Sequence, residues 1–296
     1  MSVIRLKGAS AIVTGAGSGI SFEYTKLLYA QGCSVLIADI GLRPEAEAFV
    51  KSAATDDQEA KVIFHRTDVT DWVQLEIIFD IAEKEFGKSP DIICAGAGIY
   101  EPPSLGFWAD KDPASHYKIL DIDLLHPIKI TRIAIRQMLK AARKGTILHI
   151  SSVACETASL VTPLYSVAKH GVVAFVRGQA GLDDLYGIRV VCIAPGSIKT
   201  PLMLSDPQVR HWLDPEKDYM LEPSVLAGAM YAVTVNKNNR YPAGTILEVT
   251  DDEEEKWRPI PLYNNPGPQG RATGASKKDL AINEIKGILA SEAGSS

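Results

Sequence analysis

Short apolar runs, separated by longer amphipathic segments, are the feature that most limits how this chain can fold. Seven of these runs are rich in β-branched residues and do not alternate with polar ones, which is typical of strands buried on both faces of a parallel sheet. They occupy residues 10–14, 34–38, 61–65, 91–95, 146–150, 189–194 and 245–249. Segments with a helical period lie at residues 19–31, 44–54, 71–86, 113–142, 163–185 and 223–236. This alternation predicts a doubly wound α/β fold, with a seven-stranded, mostly parallel sheet and helices on both faces.

The chain predicts one large domain followed by an extension. It has 296 residues, of which 46% are hydrophobic, enough for a sizeable core. We expect a single domain over residues 1–250. An acidic run, "TDDEEEK", and a stretch rich in Pro, Gly and Asn then open a C-terminal extension over residues 251–296.

The end of this extension can form a short helix. Ser276 can cap it, with Asp279 three residues later, and Ala281, Ile285 and Ile288 share one face. The alternatives are a frayed tail, docking on the body of the protein, or docking on a neighbouring subunit.

Charge, hydropathy and cysteine spacing exclude several classes of protein. A net charge of −5 argues against nucleic acid or an anionic membrane as the main partner. No apolar stretch approaches the ~18 residues that span a bilayer, and the first residues do not resemble a secretory signal. The four cysteines have no C-x-x-C pairing, which indicates reduced thiols and no zinc site: Cys33, Cys94, Cys155 and Cys192. We therefore expect a cytoplasmic protein without a bound metal.

A glycine-rich loop, "AIVTGAGSGI" at residues 11–20, joins the first strand to the first helix. Glycines allow a tight turn and a close backbone approach to a pyrophosphate, and the helix start offers free N–H groups. Because the loop lies between a strand and a helix, it predicts a Rossmann-type dinucleotide site. The residues that we expect at the cofactor are Gly15, Gly17, Ser18, Gly19 and Ile20.

Asp39 ends the second strand and suggests which dinucleotide is bound. A carboxylate at this position can accept hydrogen bonds from both ribose hydroxyls of adenosine, and it repels a 2′-phosphate. We therefore predict NAD. Alternatively, Asp39 only caps the strand, and the nearby Arg43 could offset the repulsion and permit NADP.

Two further loops should border the same cofactor. Asp68 and Val69 follow the third strand, and Asp68 could meet the adenine amino group or cap the helix that starts near Thr70. Ala95 and Gly96 follow the fourth strand, where small residues leave room for the cofactor. Ligands of open α/β sheets bind at these carboxyl ends of strands.

Tyr165 and Lys169 lie four residues apart in "LYSVAKH", so a helix would place them on one face. Alone, such a pair is more often a half-buried tyrosine beside a surface lysine. Here Ser152 ends the preceding strand, and strand alternation lets only one of Ser151 and Ser152 face a cleft. A phenol with a pKa of about 10 needs a nearby positive charge to act as a base near neutral pH.

Together these motifs resemble the short-chain dehydrogenase/reductase family. "TGAGSGI", "AGAGI", "ISS", "YSVAK" and "PGSIKT" occur in family order over roughly residues 5–250. The chain looks most similar to fungal NAD-dependent members related to hydroxyprostaglandin dehydrogenase and to secondary-metabolite alcohol dehydrogenases. The resemblance implies that Tyr165 is the general acid/base, that Lys169 lowers the pKa of Tyr165 and binds the nicotinamide ribose, and that Ser152 holds the substrate oxygen.

The resemblance also implies contacts for the nicotinamide and for other subunits. Ile198 and Thr200 would meet the carboxamide, and Pro195 would line the ring face. Residues 113–142 and 163–185 resemble the paired helices of the family's subunit interface. A homodimer or homotetramer is therefore expected.

The chain departs from the family pattern at four positions. Ser21 replaces a third glycine, and Ala95 and Gly96 replace two asparagines, so another contact must support that loop. Asp123 stands where the family usually has a fourth catalytic residue, an asparagine. Its carboxylate could attract Lys169, and we therefore expect an active enzyme with an altered pH profile.

Two segments should border the substrate: residues 99–110, and a lid at about residues 201–222. Their apolar and aromatic side chains favour a bulky hydrophobic substrate, unless they only pack the loops. These side chains are Tyr100, Phe107, Trp108, Met203, Leu204, Trp212 and Leu213. His211 could add a polar contact, although a surface histidine is the commoner case.

We therefore predict an NAD-dependent oxidoreductase that interconverts a hydrophobic secondary alcohol and its ketone. One alternative is an NADP-dependent ketoreductase of the same fold. Another, from a different class, is a dinucleotide-binding scaffold or sensor with weak turnover, which the changes at positions 95, 96 and 123 would suit.

Overall fold

A computed structural model describes residues 4–101, 106–157, 159–205, 209, 213–262 and 277–294. Its strands are β1 (Ser10–Thr14), β2 (Ser34–Asp39), β3 (Val62–Arg66), β4 (Ile92–Ala95), β5 (Gly145–Ile150), β6 (Ile188–Pro195), β7 (Ile246–Val249) and β8 (Arg258–Pro259). They form one sheet in the order β3-β2-β1-β4-β5-β6-β7-β8. The first seven strands pair in parallel, while β8 is antiparallel to β7. The predicted doubly wound fold is confirmed, and the extension adds an eighth strand to the seven predicted ones.

Helices connect the strands on both faces of this sheet. They are α1 (Gly19–Ala30), α2 (Pro44–Ala53), α3 (Trp72–Phe86), α4 (Lys118–Leu120), α5 (His126–Lys140), α6 (Pro163–Gly178), α7 (Gly181–Tyr186), α8 (Pro201–Leu204), α9 (Pro223–Val235) and α10 (Lys278–Glu292). A π-helical turn, Asp121–Leu125, joins α4 to α5. Within the part of the chain that the structure describes, no helix combines the length and apolar character needed to span a bilayer.

Two predicted helical segments are shorter or more broken than expected. The segment at 113–142 becomes helical only at Lys118. The segment at 163–185 is divided into α6 and α7, with Gly178 ending one helix and Gly181 starting the other. Glycine lowers helix propensity by about 1 kcal/mol relative to alanine, which favours a break here.

The core consists of two apolar layers, one on each face of the sheet. On β1, Ile12 belongs to one layer, whereas Ala11 and Val13 belong to the other. Because successive side chains of a strand point to opposite faces, a sheet covered on both faces needs apolar residues at every position. This explains the absence of alternation in the sequence.

The strand order reverses at β1, whose neighbours are β2 and β4. The loops that leave β1 and β4 therefore diverge to opposite sides of the sheet and open a crevice at its carboxyl edge. The candidate site lies there.

The first part of the extension is built into the edge of the sheet. Arg258 on β8 pairs with Glu248 on β7 at 2.5 Å. The Arg177 guanidinium donates a hydrogen bond to the carbonyl of Ile260, whose side chain is buried in the core. Residues 258–262 thus belong structurally to the body.

The last helix, α10, docks on α5 through its C-terminal turn. Leu289 is buried against the core, and Glu292 forms an ion pair with Arg132. Ile285 and Ile288, which the sequence placed on the apolar face, are exposed. The proposed cap, Ser276, lies outside the described residues.

Candidate active site

A cavity of about 910 Å³ opens at the carboxyl edge of the sheet and brings together residues from distant parts of the chain. The predicted residues that line it are Gly15, Ser18, Gly19, Ile20, Asp39, Asp68, Val69, Gly96, Asp123, Ser152, Tyr165, Lys169, Pro195, Ile198 and Thr200. Gly17 lies behind Asp39 and donates its N–H to that carboxylate. Ala95 is buried in β4 below the cavity wall, because its side chain joins the core layer. Neither Gly17 nor Ala95 is part of the lining, and their contacts with a cofactor stay predictions.

The glycine loop has the backbone shape that a pyrophosphate site requires. Gly15 has φ +69°, and a Cβ on it would lie 2.5 Å from the Ala97 Cα atom, so no larger residue fits. Ser18 precedes α1 without a side-chain cap, and the first turn of the helix carries no acidic residue. The N–H groups and the positive dipole end of α1 are thus available to an anion.

Asp39 is oriented by the loops on either side of it. Its Oδ2 accepts the N–H of Gly17 at 2.8 Å, and its Oδ1 accepts the N–H of Gly41 at 3.3 Å. Each carboxylate oxygen keeps a second acceptor site. A structural role for Asp39 in these loops is therefore compatible with binding ribose hydroxyls in the cavity.

Asp68 shapes the turn after β3. Its Oδ1 accepts hydrogen bonds from the hydroxyl of Thr70 at 2.7 Å and from its N–H at 3.0 Å. These bonds hold the pKa of Asp68 below its usual value. The cap of α3 is Asp71 instead, which accepts the N–H groups of Val73 and Gln74.

The loop after β4 is supported by Thr14, a residue that sequence reasoning missed. The Thr14 hydroxyl oxygen accepts the N–H groups of Gly96 at 3.0 Å and Ala97 at 3.2 Å. Nε2 of the buried His126 lies 3.2 Å from the same oxygen, and its Nδ1 lies 3.1 Å from the Ile122 carbonyl. A proton on Nδ1 lets the imidazole donate to the Ile122 carbonyl, and the one Thr14 hydroxyl proton then serves His126 Nε2 or the Cys94 carbonyl, which lies 3.2 Å away. This network supports the loop at the positions where the chain has no asparagine.

Ser21 and Gly96 compensate for each other. A Cβ at Gly96 would overlap the Ser21 Oγ atom and would lie 2.9 Å from the Thr14 carbonyl oxygen. The larger residue at position 21 therefore fits because position 96 has no side chain.

Helix α6 brings Tyr165 and Lys169 together one turn apart. The Lys169 Nζ atom lies 5.1 Å from the centroid of the Tyr165 ring and donates to the Ile150 carbonyl at 3.2 Å. Ser152 lines the same cavity as Tyr165; its hydroxyl donates to the Pro195 carbonyl at 3.4 Å and accepts the Ala154 N–H at 3.2 Å. Ser151 is buried and donates to the Lys169 carbonyl at 2.9 Å, so the two serines face different ways, as strand alternation requires.

Asp123 lies beneath this group and forms an ion pair with Lys169. Its Oδ2 is 2.9 Å from Lys169 Nζ, and its Oδ1 accepts the N–H of Ile99 at 2.9 Å. Both side chains of the pair are buried. Asp123 belongs to the π-helical turn before α5, and such turns occur often at functional sites.

The ion pair sets the electrostatics of the site. Burial lowers the pKa of Lys169, but the Asp123 carboxylate outweighs this and raises it, so the ammonium stays charged at neutral pH. Burial raises the pKa of Tyr165, Lys169 lowers it and Asp123 raises it, and the net shift is upward. The phenol therefore holds its proton at neutral pH.

The substrate side of the cavity is apolar, but fewer of the predicted residues line it than expected. Tyr100 and Met203 do, together with Ile99, Val161 and Leu202. Phe107 and Trp108 are exposed and are not part of the cavity lining. Their rings pack edge to face, with 5.0 Å between the ring centroids. Leu213 packs with Val209 and Met220 in a small cluster that Leu204 also contacts. These four side chains pack the loops, which is the alternative that the sequence left open; Trp212 and His211 lie outside the described residues.

Comparisons with known proteins agree with this geometry. A family model described as short chain dehydrogenase matches residues 9–209. The cis-4-hydroxycyclohexanecarboxylate dehydrogenase of Sinomonas cyclohexanicum is 35% identical over 67% of this chain and 76% of its own length. The D-beta-hydroxybutyrate dehydrogenase of Cupriavidus necator is 30% identical over 69% of this chain and 76% of its own length. The (+)-borneol dehydrogenase 1 of Salvia officinalis is 29% identical over 70% of this chain and 76% of its own length.

Proposed function

Because the chain belongs to the short-chain dehydrogenase family and is thus an oxidoreductase acting on CH–OH groups, we propose that it interconverts a hydrophobic secondary alcohol and its ketone with NAD. The observation that carries this proposal is the joint placement of Ser152, Tyr165 and Lys169 at one cavity, which continues to the glycine loop and Asp39. The borneol and hydroxycyclohexanecarboxylate relatives are named for cyclic secondary alcohols. Their names support a secondary alcohol as the substrate, and the apolar side chains of Ile99, Leu202 and Met203 in the cavity lining support a hydrophobic one.

The side chains supply the proton chemistry. The Ser152 hydroxyl holds the substrate oxygen, and ionised Tyr165 removes the hydroxyl proton during oxidation. In the reverse direction the protonated phenol donates to the ketone oxygen. The buried Lys169 ammonium stabilises the phenolate, to the extent that Asp123 leaves its charge uncompensated.

The residues present fit a nicotinamide dinucleotide, which when bound supplies the hydride acceptor or donor. The open N-terminus of α1 would hold the pyrophosphate, and Asp39 the adenosine ribose. Pro195, Ile198 and Thr200 line the cavity where the resemblance expects the nicotinamide. Asp39 would repel a 2′-phosphate, which is why we favour NAD.

Turnover assays test the reaction. We expect oxidation of hydrophobic secondary alcohols with NAD, and loss of at least about 100-fold in kcat on Tyr165→Phe, because proton transfer by a positioned side chain contributes about 10²–10⁴-fold. NADH affinity should be retained. Tyr219→Phe, at an exposed tyrosine, is the matched control. Equal turnover in the two variants would remove Tyr165 from the mechanism.

Cofactor titration tests the dinucleotide. Intrinsic fluorescence should report tighter binding of NADH than of NADPH. Asp39→Ser should reduce the ratio between the NADPH and NADH dissociation constants. The alternative, an NADP-dependent ketoreductase, draws support from Arg43, which lines the same cavity. Tighter NADPH binding in the wild type would establish it.

The scaffold alternative draws support from the Asp123–Lys169 ion pair, which weakens the effect of the lysine on Tyr165. Binding of NADH without turnover of any alcohol or ketone would favour it.

We also propose a homodimer or homotetramer in the cytoplasm. Leu125 and Val167 are exposed apolar residues at α5 and α6, where the resemblance expects a subunit interface. All four cysteines are free and buried, which suits a reducing compartment. Light scattering tests the oligomeric state, and cell fractionation tests the location.

The relation to fungal enzymes stays a prediction, since the relatives described above are bacterial and plant proteins.

A further inference from the structure

The helix that carries Tyr165 has no cap of its own. Thr162 occupies the N-cap position of α6 without a side-chain hydrogen bond to the helix, and Pro163, the first helical residue, has no N–H. The N–H groups of Leu164 and Tyr165 therefore need partners from elsewhere.

Glu101 supplies that partner from a distant loop. Its Oε2 accepts the N–H of Leu164 at 2.8 Å and the N–H of Tyr165 at 3.0 Å, across 63 and 64 residues of sequence. The side chain is buried, with 3% of its surface exposed. A carboxylate suits this position, because charge-assisted hydrogen bonds are strong and the N-terminus of a helix is the positive end of its dipole.

The same loop holds the start of α6 in three further ways. The Tyr100 ring lies edge-on to the Tyr165 ring at 5.2 Å, and Tyr100 hydrogen-bonds with Thr162. The Trp108 indole N–H donates to the Leu160 carbonyl at 2.8 Å. The segment that borders the substrate and the first turn of α6 thus form one connected unit.

Glu101 is held from its other side as well. Its Oε1 lies 3.4 Å from the Phe107 nitrogen, which donates to it. A Cβ at Gly106 would lie 3.0 Å from the same oxygen, so the carboxylate fits closely against the turn at residues 106–109.

We propose that Glu101 is a positioning residue for the reaction, which fixes the first turn of α6 and so aims the Tyr165 phenol at the substrate. This rests on the proposed function, since it assigns Glu101 a task in proton transfer by Tyr165. Removing the carboxylate leaves Tyr165 present but free to shift with the helix start. Misplacement of a catalytic group by about 1 Å can cost about 100-fold in rate.

Two substitutions separate positioning from general stability. Glu101→Leu keeps the approximate volume and removes the acceptor, so kcat should fall by about 10- to 100-fold while the NADH dissociation constant stays within about two-fold. Glu101→Gln keeps one carbonyl acceptor for the Leu164 and Tyr165 N–H groups and gives up only the long, 3.4 Å contact with the Phe107 N–H, so it should restore kcat to within about five-fold of the wild type.

Asp91→Asn is the matched control. Asp91 is a buried carboxylate that accepts the Ser10 N–H at 3.0 Å, before the start of β4 and at the opposite edge of the sheet. It also pairs with Lys88 and Arg143, so its loss should lower the melting temperature and leave kcat unchanged. Wild-type kcat in Glu101→Leu, or no recovery in Glu101→Gln, would overturn the proposal.

Amide hydrogen exchange gives a readout that does not depend on turnover. The Leu164 and Tyr165 amides should be protected in the wild type and in Glu101→Gln, and should exchange faster in Glu101→Leu. Unchanged exchange in Glu101→Leu would contradict the cap itself. A wild-type chain that shows this protection but oxidises no alcohol would overturn the proposed function, with the cap still supported.

Discussion

At the scale of single residues, Asp123 determines how much Lys169 can do for Tyr165. An isolated ammonium near the phenol would lower the pKa of Tyr165 toward neutral pH. Here the carboxylate lies 2.9 Å from the ammonium and balances its charge, and burial adds to the upward shift of the phenol pKa. A protonated phenol suits ketone reduction at neutral pH, while oxidation needs the phenolate and therefore more alkaline conditions.

We predict that Asp123→Asn moves the pH profile of alcohol oxidation toward lower pH. The amide oxygen can still accept the Ile99 N–H, but the negative charge beside Lys169 is gone, so the pKa of Tyr165 falls. Below the midpoint, each unit of that shift raises the oxidation rate about tenfold. The profile of kcat against pH measures it. Asp121→Asn, in the same turn, is the control, and superimposable profiles for Asp123→Asn and the wild type would contradict the idea.

At the scale of elements, α10 is tied to the body by its last turn. Its first three turns are exposed, and short isolated helices are marginal in water. Leu289 and the Glu292–Arg132 ion pair supply the contacts with α5. Because a surface ion pair contributes at most about 1 kcal/mol, Leu289 is the main source of docking free energy.

We predict that Leu289→Ala detaches α10. Removing a buried leucine side chain costs about 2 kcal/mol or more, which corresponds to roughly a 30-fold loss of local protection. Hydrogen exchange of peptides from residues 278–292 measures this loss. Ile285→Ala, at an exposed position four residues earlier, should leave the protection nearly unchanged, and equal effects of the two substitutions would show that Leu289 does not anchor the helix.

At the scale of the whole molecule, two histidines are buried without charge under the site. Burial lowers the pKa of His126 to about 4, and that of His149 to about 3. His126 belongs to the network of Thr14 below the cofactor loop, and His149 contacts the Thr131 hydroxyl at 3.0 Å. Protonating either ring therefore favours the unfolded chain.

We predict an acid-labile fold. Above about pH 6.5 both histidines are neutral in the folded and unfolded states, and they add no pH dependence. As the pH falls from about 6.5 toward 4, the unfolded state binds protons that the folded state does not, and stability drops by up to about 1.4 kcal/mol per pH unit for each histidine. Urea unfolding at several pH values measures this slope. His149→Leu should reduce the slope of stability against pH, and an unchanged slope in this variant would contradict the prediction.

The sequence by itself determined the seven parallel strands, the glycine loop and the helical spacing of Tyr165 and Lys169. These features follow from local patterns: unbroken apolar runs, glycines between a strand and a helix, and the helical period. Only the tertiary structure decided which partners meet. Glu101 caps α6 from 63 residues away, and Thr14 holds the Gly96 loop from 82 residues away. Nothing in a one-dimensional pattern specifies such pairs, because they arise where loops from different strands converge at one edge of the sheet.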